Sequence, residues 1–361
     1  MKIKNKIIII FLTFLSIIFS QSNFNHVVNA EENNNKNFTS STAEIVMDAN
    51  SKRILYQKNI HEKKYMASTT KILTAITVIE NSNLNDVITV SKDTTGIEGS
   101  SIYLVEGEKL SVKDLLYGLM LRSGNDCAET LAKHVSGCNE SFATLMNDTA
   151  KKIGAFNSNF INPHGLHNDN HYTTAYDLAL ISSYAIKNPT FLEIVSTKKI
   201  KIPFTKGEYD RVLINKNKML FQFDGATGVK TGFTKKAGRC LVSSANRDGL
   251  ELISVVLNCP PMFERSKELL NSCFDTYKNY KIIESDYICD FIKDKYDKEH
   301  AICVKNDVEL ALSDQEYNEL IIEYDYPKKV DYELKNDIII GEIRFLLKNN
   351  LIFTEKIYTI L

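Results

Sequence analysis

The pattern of apolar residues changes near residue 281, and this change constrains the fold more than any other feature. Before it, apolar residues recur at helical spacing, as over residues 69–81 and 262–280. After it, short alternating runs such as residues 343–347 predict strands. A chain of 361 residues also exceeds what one hydrophobic core usually organises. The sequence therefore predicts an α/β (α+β) domain over residues 42–280 and a β-rich domain over residues 281–361.

Local signals place further elements in the first domain. Periodicity predicts helices over residues 111–121 and 127–153. Two apolar runs at residues 43–47 and 53–56 flank turn residues and predict a hairpin. A second hairpin is predicted over residues 238–257, because Asp248-Gly249 between two strand-like runs is a strong turn signal.

The N-terminus has the features of an export signal. Lys2, Lys4 and Lys6 precede an apolar run over residues 7–19, which is too short to span a bilayer, and Val28-Asn29-Ala30 offers a small-residue cleavage site. We expect a signal peptide over residues 1–30, a flexible leader over residues 31–41, and a protein that acts at the extracellular face of the cytoplasmic membrane or in the cell wall. An uncleaved segment that anchors the chain to the membrane surface is the alternative.

Charge and cysteine content exclude several classes of protein. The chain has 44 basic and 45 acidic side chains, so it lacks the basic excess that binds nucleic acid. Its seven cysteines form no C-x-x-C pair, which argues against a zinc ribbon or a thioredoxin motif. Several cysteines lie in apolar runs, and we expect most of them to be buried as small hydrophobic residues.

One segment combines a hydroxyl with an amine at the start of a buried helix. The spacing in Ser68-Thr69-Thr70-Lys71 puts the Ser68 hydroxyl and the Lys71 amine on one helical face. A lysine can remove a serine proton only if burial or a neighbouring cation lowers its pKa. The S-x-x-K pattern is weak by itself, since Ser196-Thr197-Lys198-Lys199 matches it too.

Two further motifs follow in order. Ser123-Gly124-Asn125 comes after the helix predicted over residues 111–121, and Lys230-Thr231-Gly232 lies in a strand-like run of small residues that would let a ligand approach the backbone. The ordered set S-x-x-K, S-x-N and K-T-G is typical of penicillin-binding proteins and serine β-lactamases.

On these motifs the chain resembles a low-molecular-mass penicillin-binding protein, a serine-type D-alanyl-D-alanine carboxypeptidase of the peptidase S11 family. The segments that carry the resemblance occur in family order: Tyr65-Met66-Ala67-Ser68-Thr69-Thr70-Lys71-Ile72, Ser123-Gly124-Asn125-Asp126, Asn162-Pro163-His164-Gly165-Leu166, Tyr172-Thr173-Thr174-Ala175-Tyr176-Asp177 and Lys230-Thr231-Gly232-Phe233-Thr234. The resemblance implies a transpeptidase fold with a five-stranded antiparallel sheet flanked by helices, followed by a small C-terminal β-sandwich.

The resemblance also implies a role for each motif residue. Ser68 would be the acylated nucleophile, Lys71 its base, and Ser123 a proton relay to the leaving group. The residues expected to bind substrate are Asn125, Lys230, Thr231, Gly232, Phe233, Thr234 and, where some relatives have arginine, Lys216. The substrates would be peptidoglycan stem peptides ending in D-Ala-D-Ala, with β-lactams as inhibitors and no cofactor. No E-x-x-L-N segment follows Ser123, so we expect inefficient antibiotic hydrolysis.

Two other functions remain open from the sequence. His164, His167, His171 and Asp169 lie within eight positions and suggest a metal-dependent peptidase, although the H-E-x-x-H pattern is missing. A non-catalytic peptidoglycan-binding protein that kept the fold is the other alternative.

Overall fold

A computed structural model describes residues 43–360, so the predicted signal peptide and leader lie outside the described residues. The strands are β1 Ala43–Asp48, β2 Ile54–Lys58, β3 Val87–Thr89, β4 Lys109–Ser111, β5 Lys199–Ile202, β6 Arg211–Ile214, β7 Ala226–Thr234, β8 Gly238–Arg247, β9 Leu250–Leu257, β10 Lys278–Ile283, β11 Ile288–Lys293, β12 Glu299–Cys303, β13 Val308–Leu312, β14 Ile321–Asp325, β15 Ile339–Leu347 and β16 Asn350–Ile360. The helices are α1 Lys71–Asn81, α2 Val112–Leu121, α3 Asn125–Ser136, α4 Asn139–Ile153, α5 Ala175–Ala185, α6 Pro189–Ser196, α7 Met219–Gln222, α8 Met262–Thr276 and α9 Asp314–Glu319.

A five-stranded antiparallel sheet organises the first part of the chain, as predicted. Its order is β2-β1-β9-β8-β7, which leaves β7 at one edge. Both predicted hairpins are confirmed: β1 pairs with β2, and β8 pairs with β9 across a turn in which Asp248 and Gly249 have φ of 50° and 83°. Such a turn needs two positive φ angles, which is why the Asp-Gly step marks it.

Helices cover both faces of this sheet. Side chains alternate along β1, so Ile45 and Met47 join the larger core on the side of α1, whereas Val46 joins the core beneath α8. Helix α1 runs through the larger core with Ile72, Leu73 and Ile76 fully buried. The turn that precedes α1 is therefore fixed by a helix that cannot shift without disrupting the core.

Two helix predictions were too long. The helix predicted over residues 127–153 is two helices, α3 and α4, because Gly137 adopts φ 79° and Cys138 is extended. The helix predicted over residues 262–280 ends at Thr276, where Tyr277 turns extended and the chain enters β10. In both cases apolar residues continue on helical spacing across a backbone break, so periodicity alone did not mark the end.

The C-terminal part is all strand apart from α9. One sheet has the order β11-β12-β16-β15-β14. The sheet curls so that its two edges approach each other, and Tyr326, just past β14, donates to Asp290 on β11. The pair β10 and β13 completes it around a separate core. Arg53, just before β2, binds Glu316 of α9 and the Ala311 carbonyl of β13, and these contacts join the two parts.

All seven cysteines are free thiols, and five of them are buried as expected; Cys138 is exposed and Cys289 half-buried. Between residues 43 and 360, no helix is both long enough and apolar enough to cross a membrane.

Candidate active site

Ser68 lies in a tight 3-10 turn, Ala67–Thr70, and Lys71 is the first residue of α1. The three-residue spacing places Lys71 Nζ 3.2 Å from Ser68 Oγ. This separation is within hydrogen-bond reach, which is the geometry that a nucleophile and its base require.

The Lys71 amine has two other partners, and both can only accept. Its Nζ lies 2.7 Å from Asn125 Oδ1 and 2.6 Å from the His164 carbonyl oxygen. A neutral amine has two N–H groups and one lone pair. With both N–H groups donated to these oxygens, the lone pair is left for the Ser68 hydroxyl, which is the arrangement of a general base poised to accept its proton.

Burial and charge favour the neutral form of Lys71. Its side chain is 0% exposed, and burial lowers its pKa well below the usual value, with the nearby Lys230 ammonium lowering it further. Lys230 is 2% exposed, and its pKa falls to about 7, chiefly through burial and then through Lys216. The pKa of Lys71 is therefore lowered by its own burial and by the charge of Lys230, whereas that of Lys230 is lowered by burial and by Lys216.

The second motif joins α2 to α3. Ser123 has φ 65° in the connecting turn, and Asn125 begins α3. The Asn125 side chain accepts from Lys71 and donates from Nδ2 to the Glu98 carbonyl at 2.5 Å, which fixes its amide orientation. Asn125 therefore connects the base to the loop around residue 98.

Asp126, the next residue, holds that loop in place. Its buried carboxylate accepts from the Ser101 hydroxyl at 2.5 Å and from the Leu104 backbone N–H at 3.0 Å. Asp126 directly follows the S-x-N motif, but residue type alone did not predict that its carboxylate holds this loop.

The third motif lies on β7, the edge strand, and packs against the 3-10 turn Ala67–Thr70, here called the nucleophile turn. A Cβ at Gly232 would lie 3.0 Å from the Met66 carbonyl oxygen and 3.1 Å from the Ser68 backbone nitrogen, so only glycine lets the strand approach this closely. On the same strand, Lys230 Nζ donates to the Thr231 carbonyl at 3.0 Å. Strand β7 and the Ser68 turn therefore form the two walls of one narrow site.

The remaining predicted residues lie toward the rim. Phe233 is 60% exposed, with the Arg239 guanidinium 5.6 Å from its ring centre. The Thr234 hydroxyl accepts from the Ala237 N–H at 3.0 Å, so it stabilises the turn between β7 and β8. Lys216 follows β6, and its Nζ donates to Ser100 Oγ at 3.1 Å; burial lowers its pKa, as does the neighbouring Arg122.

The histidines of the possible metal site face different partners. His164 Nε2 lies 2.9 Å from Glu129, His167 Nε2 lies 3.2 Å from Asp169, and His171 Nε2 lies 2.7 Å from the Thr70 hydroxyl. Within residues 43–360, no three histidine, cysteine or carboxylate side chains are grouped as a metal would need. The three histidines are close in sequence because they belong to one loop, and this loop packs beneath the turn that carries Ser68.

That loop contributes groups that sequence reasoning missed. Gly165 packs so tightly that a Cβ would lie 2.0 Å from the Ala67 carbonyl oxygen. Glu129 accepts from His164 and from the Asn139 amide, and so steadies the loop whose carbonyl binds Lys71. The Asn-Pro-His-Gly-Leu segment was the available signal, but side-chain type alone cannot reveal that a backbone carbonyl is the functional group.

Comparison with known proteins identifies the family of this chain. The peptidase S11 family, described as D-alanyl-D-alanine carboxypeptidase, matches residues 28–260. The chain is 30% identical over 268 residues to D-alanyl-D-alanine carboxypeptidase DacF of Bacillus subtilis, covering 72% of this chain and 68% of that one. It is 36% identical over 257 residues to DacC of Escherichia coli, covering 67% and 63% of the two chains.

A solved structure of penicillin-binding protein 5 from Haemophilus influenzae superposes with a TM-score of 0.78 at 28% identity, covering 89% of this chain and 96% of that one. Fold and sequence thus point to the same group of proteins. The chain belongs to the peptidase S11 family of serine-type D-alanyl-D-alanine carboxypeptidases.

Proposed function

We propose that this protein removes the terminal D-alanine from peptidoglycan pentapeptides through an acyl-enzyme on Ser68, and that penicillin acylates the same hydroxyl. One observation carries the proposal: the Lys71 amine is held by two acceptors, Asn125 Oδ1 and the His164 carbonyl, with its third direction toward Ser68 Oγ at 3.2 Å. Family membership supports the same reaction.

Acylation begins with proton transfer from Ser68 to neutral Lys71. The Ser68 oxygen then attacks the carbonyl carbon of the penultimate D-alanine, and the negative charge moves to the carbonyl oxygen. Backbone N–H groups of Ser68 and Phe233 would stabilise that oxyanion. The close contact between Gly232 and the Ser68 backbone supports this role, because it brings the two walls together.

Lys230 would bind the C-terminal carboxylate of the substrate. Its ammonium is buried beside the site, where a charge-assisted hydrogen bond is stronger than in water. Thr231, the next residue, would add a hydroxyl contact. A bound carboxylate would also raise the pKa of Lys230 and keep it charged while Lys71 stays neutral.

Collapse of the oxyanion breaks the peptide bond, and the D-alanine nitrogen receives, through Ser123, the proton that Lys71 took from Ser68. Water then hydrolyses the ester and restores Ser68 and Lys71. Ser123 suits the relay, since it lies two residues before the amide that binds Lys71. Penicillin forms the same ester, and we propose that its slow hydrolysis makes it an inhibitor.

The site of action would be outside the cytoplasmic membrane, after cleavage of a signal peptide at Ala30. The lysines and apolar run of residues 2–19 support export, and relatives named for D-alanyl-D-alanine carboxypeptidase activity fit a substrate in the cell wall.

Release of D-alanine from a synthetic pentapeptide tests the reaction. We expect the wild type to release one D-alanine per peptide, Ser68→Ala to release none, and Ser196→Ala, in the second S-x-x-K segment, to match the wild type. Folding of each variant is checked by thermal melting. Release by folded Ser68→Ala at the wild-type rate would reject the proposal.

A further inference from the structure

We propose that His171 is a positioning residue for the nucleophile: through the Thr70 hydroxyl it holds the backbone turn that presents Ser68. This inference rests on the proposed function, since it assigns a role in acylation. It goes beyond the motif residues, because His171 lies about 100 positions from Ser68 in the chain and contacts neither substrate nor the reacting atoms.

The direction of each hydrogen bond in this chain of contacts is determined. The Ile161 backbone N–H donates to His171 Nδ1 at 3.0 Å, so Nδ1 has no proton. Neutral His171 then carries its proton on Nε2, which lies 2.7 Å from Thr70 Oγ1 and donates to it. The Thr70 hydroxyl in turn donates to the Ala67 carbonyl at 2.8 Å.

The turn that receives this contact is strained. Ala67 has φ 48°, a left-handed conformation that is unfavourable for a residue other than glycine. Ala67 directly precedes Ser68, so its backbone angles set the direction of the Ser68 side chain and N–H. A fixed Ala67 carbonyl therefore fixes the nucleophile.

Burial keeps the imidazole in the required form. His171 is 3% exposed, with Phe160 packed edge-on at 5.7 Å between ring centres. Burial, and after it the charges of His164, Lys71 and His167, lower the pKa of His171 to about 3. The imidazole is therefore neutral at neutral pH, and its Nε2–H donor to Thr70 is retained.

Two substitutions at residue 171 separate the two ends of the imidazole. In His171→Asn the amide oxygen takes the place of Nδ1 and still accepts from Ile161, but nothing reaches Thr70. In His171→Gln the longer amide places an N–H near the position of Nε2 and still donates to Thr70. A positioning role therefore predicts loss in the asparagine variant, whereas a purely structural role in the loop predicts the opposite order.

The measurement is the second-order rate constant of Ser68 acylation by a fluorescent penicillin, taken from pH 6 to 9, with thermal melting alongside. We expect His171→Asn to slow acylation about 10- to 100-fold at every pH, because small misplacements of a nucleophile cost that much. The pH midpoint should not move, since Lys71 keeps its partners. We expect His171→Gln to recover most of the rate.

Thr70 supplies an independent pair. Thr70→Ser keeps the hydroxyl and should stay near the wild-type rate, whereas Thr70→Val, of similar size, should match His171→Asn. In the double variant of His171→Asn with Thr70→Val, the two losses of acylation rate should not multiply, because both substitutions break the same chain of hydrogen bonds.

The outcomes separate the two hypotheses. A wild type that penicillin does not acylate at Ser68 contradicts the proposed function. Normal acylation of the wild type, with His171→Asn or Thr70→Val equally fast, overturns the positioning role alone. Should His171→Asn fail to fold, the Thr70 pair decides the question.

Discussion

The chain contains two S-x-x-K segments, and the fold places them in different surroundings. Ser68 lies in the 3-10 turn before α1, and Lys71 is the first residue of that buried helix and is 0% exposed. Ser196 ends α6 and donates to the Glu193 carbonyl at 3.2 Å, while Lys199 begins β5 and is exposed. Both segments contain a hydroxyl and an amine. Only in the first is the amine buried and held by fixed acceptors, and this allows it to act as a base.

The cost of burying a charge explains why the second pair cannot substitute for the first. A lysine takes a proton from serine only when burial or a neighbouring cation lowers its pKa, and Lys199 lies exposed to water. At Lys71, loss of water and the neighbouring Lys230 favour the neutral amine.

Replacing the base should have the largest effect. We expect Lys71→Ala to slow acylation by penicillin by about 10²- to 10⁴-fold, the usual contribution of a general base. Lys199→Ala is the matched control and should acylate like the wild type. Stopped-flow or gel-based labelling measures both. Acylation of Lys71→Ala at near the wild-type rate would show that another group is the base.

Replacing the second buried lysine, Lys230, should have a smaller effect, and that effect should be on substrate binding. Lys230→Ala removes a charge-assisted hydrogen bond worth about 1.5–3 kcal/mol, so we expect KM for the pentapeptide to rise about 10- to 100-fold. The exposed Lys198→Ala is the control. An unchanged KM in Lys230→Ala would remove Lys230 from carboxylate binding.

The same lysine predicts a pH dependence. Its pKa of about 7 in the free enzyme means that it is charged below pH 7 and loses charge above it. KM should therefore rise from pH 7 to 9, and Lys230→Arg, which stays protonated, should flatten that rise. A KM that falls over this interval would contradict the assignment.

Replacing a glycine that packs tightly beneath Ser68 should slow acylation by a smaller factor. Gly165 and Gly137 have φ of 85° and 79°, but a Cβ meets the Ala67 carbonyl only at Gly165 and meets nothing within 4 Å at Gly137. Both alanine variants should lose about 1–2 kcal/mol of stability from the positive φ, and Gly165→Ala should lose more, because its Cβ would clash with the Ala67 carbonyl. Only Gly165→Ala should also slow acylation, by about tenfold. Equal acylation rates would mean that the loop does not position Ser68.

Chelation should have no effect. Each histidine of the loop is already engaged by a carboxylate or a hydroxyl, and the proposed reaction needs only a serine and an amine. Pentapeptide hydrolysis with and without EDTA measures this. Loss of activity that zinc restores would favour the metal-dependent alternative.

The sequence predicted what local patterns control. Apolar spacing located α1, and Asp248-Gly249 located the β8–β9 hairpin, because both depend on neighbouring residues. One residue from each motif lies at or next to Ser68, namely Lys71, Asn125 and Gly232, while the roles of the motif residues stay predictions. The division at residue 281 stays a prediction, and β10 runs across it.

Contacts between distant segments were out of reach. His171 and Thr70 meet across 101 positions, and Lys71 meets the His164 carbonyl across 93. A cluster of histidines in sequence suggested a metal because composition cannot show which way each ring faces. Only the folded chain reveals that these residues support the turn.

Peptide mapping of the penicillin adduct shows directly which serine is the nucleophile and whether it depends on Lys71. The full-length wild type is incubated with penicillin, digested and analysed by mass spectrometry, with Lys71→Ala and Lys199→Ala in parallel. We expect one adduct, on Ser68, in the wild type and in Lys199→Ala, and almost none in Lys71→Ala. An adduct on Ser196, or on Ser68 with equal yield in all three proteins, would contradict the conclusion that burial of Lys71 makes Ser68 the nucleophile.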